Sequence, residues 1–137
     1  ILHALLEFQR AFFLSGETRD LRPLYRHHIA TKIGMDPSTI SRALANKALQ
    51  AHRQVYPLDF FFSEPIQTTD GKEVSSHYVK ERLRALIDRE DKTKPYSDTE
   101  LQEGLNAEGY LIKRRTVAKY RESLQIPVAK LRRSWLS

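Results

Sequence analysis

Apolar residues recur along this chain at steps of three and four, the spacing of one side of a helix. In the opening segment, ILHALLEFQRAFFL, Leu2, Leu5, Leu6, Phe12 and Phe13 share a side, and Gly16 follows as a stop. After a polar turn over residues 15–20, a second series runs through Leu21, Leu24, Ile29, Ala30 and Ile33 and ends at Gly34. Asp36-Pro37 then opens the segment PSTISRALANK. The Asp can accept from the unpaired amides of a first turn, and the Pro sits where a missing N–H costs nothing.

The periodicity lapses from Ala48 to Lys72, where three consecutive Phe precede Pro65 and an Asp70-Gly71 turn signal. Burying each ring is worth about 1.5–3 kcal/mol, so the stretch reads as a linker that packs in part and clasps the modules. Helical spacing resumes with Val79, Leu83, Leu86 and Ile87, opened by Ser75 and Ser76 and bounded by Pro95. Ser97-Asp98-Thr99-Glu100 has the capping-box spacing, and Leu101 and Leu105 follow on one side up to Gly109. The last helix, KRRTVAKYRESL, stops at Pro127. No strand pattern of useful length is visible. The expectation is an all-α chain of two helix-turn-helix modules joined by a partly packed linker, with boundaries at 1–58, 59–73 and 74–137.

A helix-turn-helix needs a small residue where its helices cross, a Gly in the turn and an apolar anchor on the second helix. Ala30, Gly34 and Ile40 meet these needs. A plain helical hairpin satisfies the same pattern. With Ile40 and Leu44 inward, at about 100° per residue Ser38, Ser41, Arg42 and Ala45 point outward. Arg42 could read a guanine edge, and the serines could reach bases or phosphates. In the last helix Val117, Tyr120 and Leu124 form the apolar side, which sends Arg115, Ala118, Lys119 and Glu122 to the opposite side, flanked by Arg114, Thr116 and Arg121. Central cations for base edges, a small Ala for close entry and flanking Arg or Thr for phosphates suit a recognition helix. A solvated charged face is the competing reading.

Charge placement sharpens that choice. Over the chain 23 Lys and Arg face 17 Asp and Glu, yet from Tyr110 to Ser137 there are eight basic residues and one acidic, while residues 1–109 are nearly neutral. A basic cluster on an otherwise neutral chain is the footprint of a polyanion-binding surface. Further basic residues follow at Lys130, Arg132 and Arg133. Apolar content of 40% supports a folded core. There is no cysteine, and no apolar run long enough to span a bilayer. These point to a soluble chain of the cytoplasm, and the opening Ile1 suggests a piece of something longer. No two of the five His have metal-ligand spacing, and the glycines form no phosphate loop, so neither an enzyme, a metal nor a cofactor is expected.

The segment RRTVAKYRE at 114–122 resembles the RpoN box of the sigma-54 family of bacterial transcription factors. The resemblance extends backward through KPYSDTELQEGL, DGKEVSS, STISR and FQRAFF, in the family's order and spacing, and covers nearly the whole chain. It implies a factor that recruits RNA polymerase to promoters with a GG element near minus 24 and a GC element near minus 12. Carried over by position, upstream recognition falls to Lys113, Arg114, Arg115, Thr116, Ala118, Lys119, Tyr120 and Arg121, with Tyr120 expected largely in the core and Arg121 against phosphate. Downstream contacts fall to Ser38, Thr39, Ser41 and Arg42. Implied partners are double-stranded promoter DNA, core RNA polymerase and, in the full-length protein, an AAA+ activator ATPase. The setting is the bacterial cytoplasm at the nucleoid, with no membrane.

This chain departs from the family pattern in having Lys113 where Ala is usual, His52-Arg53-Gln54 where Pro-Arg-Gly is common, a replacement near Tyr25 of the Thr that would cap the helix, and His27-His28 for a basic-acidic pair. The family's activator-responsive region and main polymerase-binding domain fall outside the resemblance. The piece alone is expected to bind DNA without supporting initiation. A different class of function, a module that docks on polymerase through its first helix and Phe-rich stretch with only nonspecific DNA affinity, fits the same composition.

Overall fold

The computed structural model describes residues 1–134, so residues 135–137 of the expected 74–137 domain lie outside the described residues. The chain forms two compact units, Ile1–Pro65 with Glu73–Ser76 and Ile66–Lys72 with His77–Ser137.

In the first unit the opening series folds as two helices, α1 (Leu2–Phe8) and α2 (Arg10–Ser15). The break falls at Gln9, whose buried side chain is fully used. Its Nε2 donates to the carbonyls of Arg22 and Phe61, both at 2.9 Å, and its Oε1 accepts from the Arg22 amide at 2.8 Å. An unpaired buried amide costs about 1–3 kcal/mol, so these three bonds fix where the following segments lie. Helices α3 (Arg26–Ile33) and α4 (Pro37–Leu44) meet across Gly34, whose φ of 71° is the left-handed value a side chain resists. Ile29, Ala30, Ile40 and Leu44 are all buried in the shared core.

The expectation of a strictly all-α chain is corrected by two small sheets. β1 (Ala48–Ala51) pairs antiparallel with β2 (Gln54–Pro57) in the register Ala51↔Gln54, leaving His52 and Arg53 as a two-residue loop. Both take positive φ, 50° and 64°, as a tight hairpin matching strand twist requires. The strands escape the sequence pattern because each is four residues long and their turn lacks Asn-Gly or Asp-Gly. A non-glycine residue in this region costs about 1–2 kcal/mol, whereas glycine gives back about 0.5–1 in the unfolded chain. Arg53→Gly is therefore expected to stabilise the unit by about 0.5–1 kcal/mol. A urea midpoint that falls would count against this account of the turn.

After β2 a 3-10 turn at Leu58–Phe61 carries the Phe run inward. Phe61 and Phe62 are buried and Phe60 packs beside them. Phe12 sits at the centre, with the rings of Tyr56, Phe13, Phe61 and Phe60 at 5.4, 5.5, 5.8 and 5.9 Å. Phe60–Phe62, in the stretch expected as a partly packed linker, help fill this core. Aromatic rings bury more area than any aliphatic side chain, so they were the least able to stay in a connector.

β3 (Pro65–Gln67) and β4 (Glu73–Ser75) make the second two-stranded sheet, around the turn that Asp70-Gly71 signalled. The second unit holds α5 (Ser76–Asp88), α6 (Asp98–Ala107), α7 (Arg114–Ser123) and the short α8 (Ala129–Arg132). Its buried hydrophobic residues, among those described, are Ile66, Val79, Leu83, Ile87, Leu101, Leu105, Ile112, Val117 and Tyr120. Ser97 and Glu100 form the expected capping box, each side chain accepting from the other's backbone amide at 3.1 Å. Between α6 and α7 the chain does not run loose. Leu111 N–H donates to the Gln67 carbonyl and Thr69 N–H to the Gly109 carbonyl, both at 2.9 Å, which sets the start of α7.

Candidate nucleic-acid interface

Helix α7 rises about 15 Å over ten residues and packs one side on the second unit's core. Val117, Tyr120 and Arg121 face inward, whereas Lys113, Arg114, Arg115, Lys119 and Glu122 are exposed and Thr116 and Ala118 half-buried. Six of the eight upstream residues suggested by the sequence therefore remain available on the outside.

The other two point inward, Tyr120 as expected and Arg121 against expectation. Tyr120 is buried, with the Lys80 ammonium 5.1 Å from the centre of its ring. Arg121, expected against phosphate, turns inward instead. Its Nε and Nη2 donate to the two carboxylate oxygens of Asp98 at 3.0 and 3.2 Å, and its Nη1 donates to the Ile126 carbonyl at 2.9 Å. All three guanidinium nitrogens are thus committed within the unit. The wheel already hinted at this, because Arg121 lies only about 40° from Val117. Asp98 is the first residue of α6, so the pair also ties the two helices together.

Arg132 is likewise removed from the basic surplus. It donates through Nε and Nη2 to both oxygens of Glu90 at 2.9 Å, to the Tyr96 carbonyl at 2.7 Å and to the Pro127 carbonyl at 2.7 Å. Lys92 Nζ adds a third cationic contact on Glu90 at 2.8 Å, and the Tyr96 amide donates to it at 2.9 Å. Sequence spacing does not show this pairing, since 42 positions separate Glu90 from Arg132.

What is left at the start of α7 breaks an ordinary rule of helix design. The N-cap is Lys113, no side chain caps the first turn, and that turn carries no acid. Cations near a helix N-terminus oppose the macrodipole at a cost of about 0.3–1 kcal/mol each. Lys113, Arg114 and Arg115 do so together, and among the described residues no ion pair relieves them. Unpaired amides, the positive end of the dipole and three cations make this end a concentrated field for an anion. Local rules broken without a compensating contact are expected where function overrides stability.

Helix α4 is built oppositely. Asp36 caps it, accepting from the Ser38 amide at 2.8 Å and the Ser38 hydroxyl at 2.5 Å. Those two bonds hold its carboxyl below the usual range. Ser38, Ser41 and Arg42 are exposed and Thr39 half-buried, with Arg42 Nη2 reaching Thr39 Oγ1 at 3.4 Å. The Ser38 hydroxyl is thereby already engaged. At the front of α3, His28 Nδ1 accepts from the Tyr25 amide at 3.1 Å, the reaching-back half of a capping box, which the N3 residue supplies whatever residue stands at the N-cap.

Among the described residues no group of three or more His, Cys, Asp or Glu could hold a metal ion, and no helix is long and apolar enough to cross a membrane.

An exposed cationic helix on a small helical unit is the form of a nucleic-acid-binding domain. The family model described as "Sigma-54, DNA binding domain" matches residues 1–134, and the chain belongs to that family. It is 41% identical over 122 residues to the RNA polymerase sigma-54 factor of Pseudomonas putida, covering 89% of this chain and 24% of that protein. With the RNA polymerase sigma-54 factor of Escherichia coli K12 it shares 39% identity over 133 residues, 97% of this chain and 28% of that protein. The chain thus spans about a quarter of the length of these relatives. Among solved structures it resembles Aquifex aeolicus sigmaN bound to promoter DNA, with a TM-score of 0.58 and 35% identity over 96% of this chain and 39% of that one.

Proposed function

We propose that this chain is the promoter-reading part of a sigma-54 transcription initiation factor. In this reading α6 and α7 act as a helix-turn-helix whose second helix enters the major groove at the upstream GG element, and α3 and α4 act as a second one facing the downstream GC element. The observation that carries it is the group of exposed, unpaired cations gathered at the start of α7, against that helix's own dipole. Arg115 is the base reader, because a guanidinium fork matches the two acceptors on a guanine edge. Lys113, Arg114 and Lys119 meet phosphates, Thr116 assists them, and the small Ala118 lets the helix sit deep. On α4, Arg42 and Ser41 are the groove candidates, with Ser38 and Thr39 beside them.

Support comes also from the Aquifex aeolicus relative, whose solved form is bound to promoter DNA. In the longer factor, core RNA polymerase and an AAA+ activator ATPase complete the assembly, in the bacterial cytoplasm at the nucleoid. This piece binds DNA without opening it.

Fluorescence anisotropy with duplexes carrying GG or a mutated GG tests the reading. Arg115→Ala is expected to lower the preference for GG by about tenfold, since one bidentate guanine contact is worth about 1–3 kcal/mol. Its urea midpoint should stay put, because the side chain is exposed. Equal affinity of the wild-type chain for both duplexes rejects specific recognition.

One observation favours a second reading, a protein contact. Leu2, Leu6 and Leu14 on α1 and α2 are exposed, and a shallow groove there is lined by His3, Leu6, Glu7, Arg10 and Leu14. That surface suits docking on polymerase. The Phe-rich stretch does not take part, because its rings belong to the core.

A further inference from the structure

The outward side of α7 carries one residue that a polyanion-binding face should reject. Glu122 is the only acid between Tyr110 and Ser137. It follows Arg115 by seven positions, so it points within about 20° of the same direction, roughly 10 Å farther along the helix. The side chain is exposed, and no described basic residue pairs with it, although Lys119 is three positions away. It also lies in the last turn of α7, where a negative charge opposes the helix dipole. Glu122 thus neither neutralises a neighbour nor helps the helix, and it weakens attraction to every phosphate within reach.

A carboxylate pays for that repulsion where a groove offers it a donor. Each base pair presents a different pattern in the major groove, and the cytosine N4 amino group is the donor that Glu or Asp accepts from. We propose that Glu122 is a base-selecting residue of α7: its carboxylate accepts from a cytosine amino group in the major groove and penalises duplexes that lack it there. The proposal rests on the reading of α7 as the groove helix. With about 3.4 Å per base-pair step, 10 Å places the cytosine about three base pairs from the guanine met by Arg115.

Carboxylate and amide differ in what they accept. Glutamine presents the donor-acceptor pair that suits adenine N6 and N7, whereas alanine presents neither. The 137-residue chain and its Glu122→Gln and Glu122→Ala variants would be titrated by anisotropy against duplexes carrying GG, with each flanking base pair replaced in turn. At one position about three pairs from GG, the wild type is expected to prefer cytosine by about tenfold. Glu122→Gln should shift that preference toward adenine, and Glu122→Ala should level it. All three should still discriminate GG, and their melting curves should coincide because the side chain is exposed.

Two results overturn the proposal while leaving GG recognition standing. One is an affinity that rises equally on every duplex in Glu122→Ala, which reduces the carboxylate to uniform repulsion. The other is no change on any duplex. A wild-type chain blind to GG would instead overturn the reading of α7 itself, and the proposal with it.

Discussion

Arg121→Ala is expected to destabilise the second unit by about 2–4 kcal/mol while leaving the salt dependence of DNA binding unchanged in the folded fraction. Removing one partner of a buried ion pair costs more than the pair contributes, because the other charge and its acceptors are left behind. Here the Arg121 side chain is 5% exposed and Asp98 25%, so the stranded carboxylate recovers some solvent. Asp98 also opens α6, where the helix dipole favours an anion. Both features keep the loss below the largest values. The Ile126 carbonyl loses its donor as well, which loosens the chain as it leaves α7.

Adding Asp98→Ala should restore part of the loss, since contacting residues are not additive. Urea unfolding gives the first quantity and the slope of log affinity against log salt gives the second. Each phosphate neutralised adds about 0.9 to that slope. A variant that stays stable and shows a flatter slope would return Arg121 to the DNA-facing set.

The sequence alone shows this fold best where it follows a period. Val79, Leu83 and Ile87, Leu101 and Leu105, and Ile40 and Leu44 all occupy the core as their spacing requires. Caps drawn from local chemistry were equally visible, as with Asp36 and the Ser97–Glu100 box. The short hairpin at Ala48–Pro57 was not, because four-residue strands offer two alternations at most and His52-Arg53 is an unusual choice for a positive-φ turn. The break at Gln9 was also invisible. It coincides with an amide bonded to Arg22 and Phe61, 13 and 52 positions away, and no local pattern carries such a distance.

For the site, net charge was a blunter guide than geometry. Eight cations at the C-terminal end drew attention to this part of the chain but counted Arg121 and Arg132, which the structure commits to Asp98 and Glu90. Long cationic side chains are divided between solvent and buried partners by which acids lie within reach, and sequence spacing does not report that. The 40° offset of Arg121 from Val117 was the one usable signal.

The same division makes Glu90 the residue through which acid should loosen the second unit. Its side chain is inaccessible to solvent and accepts from Arg132, Lys92 and the Tyr96 amide. Burial alone would raise its pKa, but those donors outweigh burial and bring it from 4.5 down to about 2. In the unfolded chain Glu90 takes up its proton near the ordinary value, whereas in the folded chain it does so only near 2. Below the ordinary value the unfolded state therefore binds more protons, and stability falls with pH. The contribution is fully present above 4.5 and is lost progressively toward 2.

A shift of this size corresponds to about 3 kcal/mol. Glu90→Gln keeps the shape, removes the charge and strands the buried Arg132 guanidinium, so its stability near neutrality should drop by about 2–3 kcal/mol. Its urea midpoint should also vary less than the wild type's as pH falls below 4.5. Parallel pH profiles for the two proteins would mean that acid acts through other carboxylates. Because the ion pair holds α8 and the 90–96 loop rather than α7, GG preference measured near neutral pH should survive in the folded variant.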